Sequence, residues 1–265
     1  MTPDRAEATV VFPVMTPDGA DWWRVLGESA RIWAQGGRLE SGDEYWLAFS
    51  GERNVNYNLA CCRSALPEVL ADRCLTPTAE LKKPAIIMLS GAGLATTRPL
   101  VDAGWVTVAA LPLMTLRAPA GAGTPIDGAG PLAAEQLPAA RELLADCYGL
   151  DRATAVAAIP DRALEDDDLS AWGLHVEGRL VSCVTSVVQD GTVVIWSMAT
   201  DPDSQRRGYG RQLLESLLAH HYGLGASGSL LHSSVAGERL YRQLGYTVVE
   251  YLQLWSRPRW VLSAA

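Results

Sequence analysis

A chain of 265 residues has length for one large domain or two ordinary ones, and its layout favours two. A formal charge of −8 argues against nucleic acid as a partner, because binding a polyanion needs a basic face that the sequence does not show. No apolar run is long enough to span a membrane and residues 1–7 lack a signal-peptide layout, so a cytoplasmic protein without a membrane partner is expected; a homodimer stays open. The five cysteines are odd in number and lack metal-ligand spacing, which suits reduced, buried thiols and no metal.

In chain order, Trp22, Trp23, Trp33 and Trp46 come first, a cluster suited to a core or to the wall of an apolar acceptor cleft. Asn54, Asn56, Tyr57 and Asn58 follow Gly51 and suit either a turn entering a strand or a ligand-facing edge. The β-branched run Pro84 to Ser90 reads as a strand, Thr96 to Ala103 as a short helix, and Gly104 to Val108 as a second strand. Gly91-Ala92-Gly93 follows a strand without the rest of a phosphate motif and is assigned to a turn. From Ala118 to Pro131 the chain is rich in Gly, Ala and Pro with no hydrophobic period, as a linker would be. Beyond it, Asp166, Asp167 and Asp168 suit a solvated turn or an amine-attracting patch. His175, on a strand after Trp172, and His232 are each open to a structural or a general-base role.

The most informative segment starts at Thr192. Thr192 to Met198 is a buried-strand pattern, and from Gly210 the residues Leu213, Leu214, Leu217 and Leu218 mark one face of a helix. Between them lies Gln205-Arg206-Arg207-Gly208-Tyr209-Gly210-Arg211. Unpartnered amides at a helix N-terminus, glycines that let a ligand approach, and three arginines fit a pyrophosphate. The Walker ending Gly-Lys-Ser/Thr is missing, and Leu213 stands where a dinucleotide fingerprint needs its third glycine. Two stretches are also alike: Leu100 to Val108 aligns with Tyr241 to Val249 through the glycine, the aromatic after it and a β-branched run, which indicates an internal repeat. A weaker echo pairs Trp46 to Glu52 with Trp172 to Arg179.

Gln205-x-x-Gly208-x-Gly210 resembles the Arg/Gln-x-x-Gly-x-Gly/Ala loop of the GNAT N-acetyltransferase superfamily, and Leu231 to Tyr246 resembles that family's strand, helix and Leu-Tyr-x-x-Leu-Gly-Phe ending. The resemblance covers about residues 165 to 256 well and the first half weakly. It implies an α/β fold of two tandem GNAT-like domains, each a mixed, mostly antiparallel sheet flanked by helices. The expected division is a degenerate copy over 1–117, a linker over 118–131 and a catalytic copy over 132–265. No phosphate loop lies between Cys62 and Pro84, so one pyrophosphate site per chain is expected.

By the same resemblance, acetyl-CoA or another short acyl-CoA is the co-substrate and an amine the acceptor, and an acidic chain with a partner-walled cleft favours a small-molecule amine over a protein tail. The main chain of Met198, Ala199 and Thr200 would hold the pantetheine arm, with the Met198 N–H as oxyanion donor. Gln205, Arg206, Arg207, Gly208, Tyr209, Gly210 and Arg211 would cradle the pyrophosphate. Tyr241 would protonate the leaving thiolate, Ser234 stands where the family often has a cofactor-contacting asparagine, and Gly237 would leave room for the CoA chain. Many relatives carry a glutamate on the fourth strand, yet Thr192 to Thr200 has no carboxylate, which leaves the base to a water relay. The alternatives are an aminoacyl-tRNA or acyl-carrier-protein donor, or a catalytically silent CoA-binding module.

Overall fold

A computed structural model describes residues 21–34, 37–119 and 123–262. Residues 1–7, read for a leader, and residues 120–122 of the expected linker lie outside these. The strands are β1 (Arg38–Ser41), β2 (Tyr45–Phe49), β3 (Asn58–Cys62), β4 (Ile86–Leu89), β5 (Val106–Arg117), β6 (Ala129–Pro131), β7 (Leu169–Val176), β8 (Arg179–Gln189), β9 (Thr192–Thr200), β10 (Gly228–His232) and β11 (Thr247–Ser256). They form one continuous sheet in the order β1-β2-β3-β4-β11-β5-β10-β9-β8-β7-β6. The fold is mixed α/β, with a mostly antiparallel sheet flanked by helices. Local chemistry sets much of this order. Glu177-Gly178 and Asp190-Gly191 all adopt positive φ, the backbone of two-residue hairpin turns, and they join β7 to β8 and β8 to β9.

Two neighbouring pairs are parallel, β3 with β4 and β9 with β10. Between them the chain exchanges strands: β5, from the first half, pairs with β10, while β11, from the second, pairs with β4. β5 and β11 also pair with each other along most of their length. Both follow the segments that the sequence marks as alike. Gly104 and Gly245 each end a helix with φ of 76° and 94°, and Trp105 and Tyr246 after them are each 2 % exposed. The weaker echo finds no such support, because β2 and β7 do not hold equivalent places: β2 lies next to β3 as β8 lies next to β9.

The expected boundaries at 117 and 132 therefore follow the chain but not the sheet. The linker closes as an edge strand, β6, paired with β7, because its last three residues find an open ladder there. The cores also cross the boundary: Trp22, Trp33 and Trp46 share one cluster with Leu169, Val187 and Val194. The four early tryptophans are at most 3 % exposed, so they are core residues and do not face a cleft. Cys61, Cys62, Cys74 and Cys183 are buried free thiols, and Cys147 is partly buried. Among the described residues no helix is long and apolar enough to cross a membrane, and no cluster of metal-ligating side chains occurs.

Candidate active site

The site begins where β9 leaves its neighbours. Pairing with β10 runs only from Thr192 to Ile195, although β9 continues to Thr200, so the two parallel strands part at Trp196. On the other side the β8 register slips between Cys183 opposite Ala199 and Thr185 opposite Trp196. Ser197 and Met198 fall in this bulge without register partners, and Ser197 has a φ of 46°. A non-glycine residue in that region is held by its surroundings. Here the Ser197 hydroxyl lies 3.1 Å from the Tyr57 hydroxyl, a residue of the first half.

Past β9 the chain is pinned at once. Asp201 accepts from Asp203 N–H at 3.3 Å and pairs with Arg179, and Gln205 donates Nε2 to the Thr200 carbonyl at 3.1 Å. Arg206 and Gly208 turn the loop with φ of 64° and 84°, and helix Tyr209–Gly223 starts directly after. Its first helical hydrogen bond runs from Gln212 N–H to Gly208 C=O at 3.0 Å, so the preceding amides face outward at the positive end of the helix dipole. Leu213, Leu214 and Leu217 are fully buried against the sheet, which fixes the helix over the strand end. Gly210 packs closely on the strand end: a Cβ there would lie 3.0 Å from Thr200 Oγ1 and 3.1 Å from Met198 Cε, a tight fit for any side chain.

A cavity of about 580 Å³ joins these parts to helix Val235–Gln243. Met198, Ala199, Thr200, Gln205, Arg206, Gly208, Tyr209, Gly210, Arg211, Ser234, Gly237 and Tyr241 all line it. Arg207 does not, because the loop turns it outward, where it is exposed. Arg206, Arg211 and Arg239 face the cavity, and among the described residues no carboxylate does, so its field favours an anion. Tyr241 sets its hydroxyl 3.8 Å from Met198 Sδ, and burial pushes its phenol pKa up, keeping the proton on oxygen at neutral pH. Ser234 caps its own helix, accepting from Gly237 N–H at 3.1 Å. Gly237 leaves space for the Tyr241 ring, since a Cβ there would lie 2.9 Å from Tyr241 Cε2.

The family described as an acetyltransferase (GNAT) domain matches residues 167–248, which hold β9, the loop and both helices of this cavity. The chain carries a GNAT acetyltransferase domain. Solved structures share the fold over most of the molecule. A GCN5-related N-acetyltransferase from Kribbella flavida superposes with a TM-score of 0.62 at 20% identity, covering 88% of this chain and 94% of that one. One from Sphaerobacter thermophilus gives 0.59 at 16% identity over 86% and 84%. A functionally unknown conserved protein from Staphylococcus epidermidis gives 0.58 at 10% identity over 86% and 96%. Among curated proteins none matches.

A second cavity of about 200 Å³ adjoins the first, and the two share Tyr148, Met198, Ser234 and Tyr241. Asn56, Tyr57, Leu59 and Leu111 of the first half form part of its wall, with Trp196, Ser197 and His232 of the GNAT domain. Asn54 and Asn58 stand behind that wall: Asn54 accepts from Asn56 N–H at 2.9 Å, and the fully buried Asn58 bonds Glu52 and Pro84 carbonyls. His232 lines the cavity, but its Nε2 is buried without a partner and burial pulls its pKa down to about 4. His175 lines neither cavity and meets Gln136 at 3.3 Å. The acidic run is also elsewhere: Asp168 pairs with Arg31 at 3.2 Å and Asp166 accepts from Asp168 N–H at 3.0 Å. Gly91, in the turn after β4, donates its amide to Glu250 at 2.6 Å, so a carboxylate of β11 already occupies that donor.

Sequence reasoning overlooks Tyr148 and Cys147. Tyr148 donates to the Met198 carbonyl at 2.5 Å and Cys147 to the Thr200 carbonyl at 3.3 Å, both from the end of helix Leu137–Tyr148. Gly149, at φ 63°, marks that helix end in the sequence, but its docking on β9 is a tertiary event.

Proposed function

We propose that this chain is an acetyl-CoA-dependent N-acetyltransferase acting on a small-molecule amine, built from two GNAT-like copies of which only the second keeps the donor loop. One observation carries the reading: the parted end of β9, the glycine loop and Tyr241 meet in one cavity. The loop amides and arginines receive the pyrophosphate, and the edge of β9 that β10 leaves beyond Ile195 takes the pantetheine arm through its remaining main-chain groups, the Met198 and Thr200 carbonyls being already bonded by Tyr148 and by Cys147 and Gln205. The amine nitrogen attacks the thioester carbon, the carbon–nitrogen bond forms, and the carbon–sulfur bond breaks. The Met198 N–H, freed from the β8 ladder by the bulge, faces the developing oxyanion. Tyr241 gives its hydroxyl proton to the sulfur and regains one from water that has taken the amine's.

The first half supports the tandem reading through the exchange of β5 and β11 and their like entry turns. Its own counterpart of the loop is closed: the helical run after β3 starts at Pro67, which has no N–H, and the Ser64 hydroxyl accepts from Leu66 N–H at 3.1 Å. The lack of a carboxylate along β9 favours a second reading, a CoA-binding module without turnover. Release of CoA thiol from acetyl-CoA across an amine panel separates the two. Amine-dependent release supports the transferase, and acetyl-CoA binding with no release from any amine supports the silent module.

A further inference from the structure

The second cavity differs from the first in charge. Its wall holds Leu59, Leu111, Ile195, Leu231, Leu254 and Trp196, and its polar groups are hydroxyls, an amide and an imidazole. Among the described residues no Asp, Glu, Lys or Arg lines it, and His232 is held neutral by its burial. An alkylammonium, with a pKa near that of lysine at about 10.4, would enter such a site as a cation without a counter-charge. Moving an unpaired ion out of water is strongly unfavourable. The volume of about 200 Å³ is also informative. An apolar cavity of about 150 Å³ engineered in another protein holds benzene, so one substituted ring fits here.

We propose that this cavity binds a single-ring aromatic amine, uncharged at neutral pH, as the acetyl acceptor. The inference rests on the transferase reading above. Such an amine presents its lone pair without prior deprotonation, which accounts for a site that has no carboxylate on β9. The nitrogen attacks the thioester carbon, an N–H proton passes to water, and the sulfur leaves with the Tyr241 proton, giving an anilide and the CoA thiol. Tyr57 and Ser197, whose hydroxyls already bond each other at 3.1 Å, keep an oxygen lone pair to accept the remaining N–H. Selectivity thus comes from the first half of the chain, through Asn56, Tyr57, Leu59 and Leu111.

The test compares aniline and 4-methylaniline with benzylamine and 2-phenylethylamine at saturating acetyl-CoA and neutral pH, reading thiol release, with acetyl-CoA affinity measured separately by calorimetry. The expected result is a kcat/KM at least about tenfold higher for the aromatic amines. In Asn56→Asp, which is nearly isosteric at an exposed position, the ratio moves toward the alkylamines by at least about threefold with acetyl-CoA affinity unchanged. Preference for the alkylamines in the wild type, or an unmoved ratio in Asn56→Asp, overturns the assignment while leaving the transferase in place. Acetyl-CoA binding without release from any amine overturns the acceptor assignment and the transferase together, and absence of acetyl-CoA binding overturns the donor reading itself.

Discussion

Tyr241 reaches Met198 because Gly237, one helical turn earlier, has no side chain in the path of its ring. Its proton is the one the departing sulfur needs in the proposed reaction. Tyr241→Phe is therefore expected to lower kcat by about a hundredfold while acetyl-CoA affinity stays within about twofold, read by thiol release and calorimetry. Buried histidine makes stability fall in acid. His221 is 6 % exposed, with Nε2 near the Ser170 and Ser186 hydroxyls, and burial, with help from His220, pulls its pKa down to about 4. In the unfolded chain His221 takes up its proton below about pH 6.5, whereas in the folded chain it does not until near the lower value. The His221 contribution to stability is thus complete above about pH 6.5 and falls as the pH drops from there, by up to about 3 kcal/mol. A His221→Gln variant should show a flatter fall in Tm between about pH 7 and pH 5 than the wild type.

The loop from Gln205 to Arg211 was legible because everything that makes it an anion site is contiguous: a strand, glycines, arginines and a helix with one apolar face. The structure adds that Arg207 leaves the cavity, since positive φ at Arg206 and Gly208 turns the residue between them outward. The strand bulge was not legible. Nothing in Trp196-Ser197-Met198 announces a φ of 46°, because the conformation is held by a hydroxyl from 140 residues earlier. Tyr57→Phe removes that hydrogen bond but keeps the ring against Trp33, so it should lower kcat/KM for the amine by about three- to tenfold with little change in Tm or acetyl-CoA affinity. The second cavity was hidden for the same reason. Its residues come from β3, β5, β9, β10 and β11, from the turn before β3 and from helices Leu137–Tyr148 and Val235–Gln243, segments far apart in the chain that only the tertiary fold brings together.

The exchange of β5 and β11 makes the two halves one structure. The sequence shows the repeat but not the exchange, because like segments can pair at home or across, and register is decided by the neighbours each strand meets. Without the first half, β10 loses its antiparallel partner β5, and Leu169, Val187 and Val194 of β7, β8 and β9 lose Trp33 and Trp46 from their cluster. The intact chain should unfold in one calorimetric transition, and residues 132–265 alone should fail to give a cooperative one. The central claim is that a single donor site per chain is formed by the loop in the second half. Titration calorimetry with acetyl-CoA tests it most directly, on the wild type and on Gly208→Val, a substitution that a φ of 84° does not accommodate. One site per chain in the wild type, weakened at least about tenfold in a variant that still unfolds cooperatively, is the expected result. No binding, two sites per chain, or equal affinity in the two proteins would contradict it.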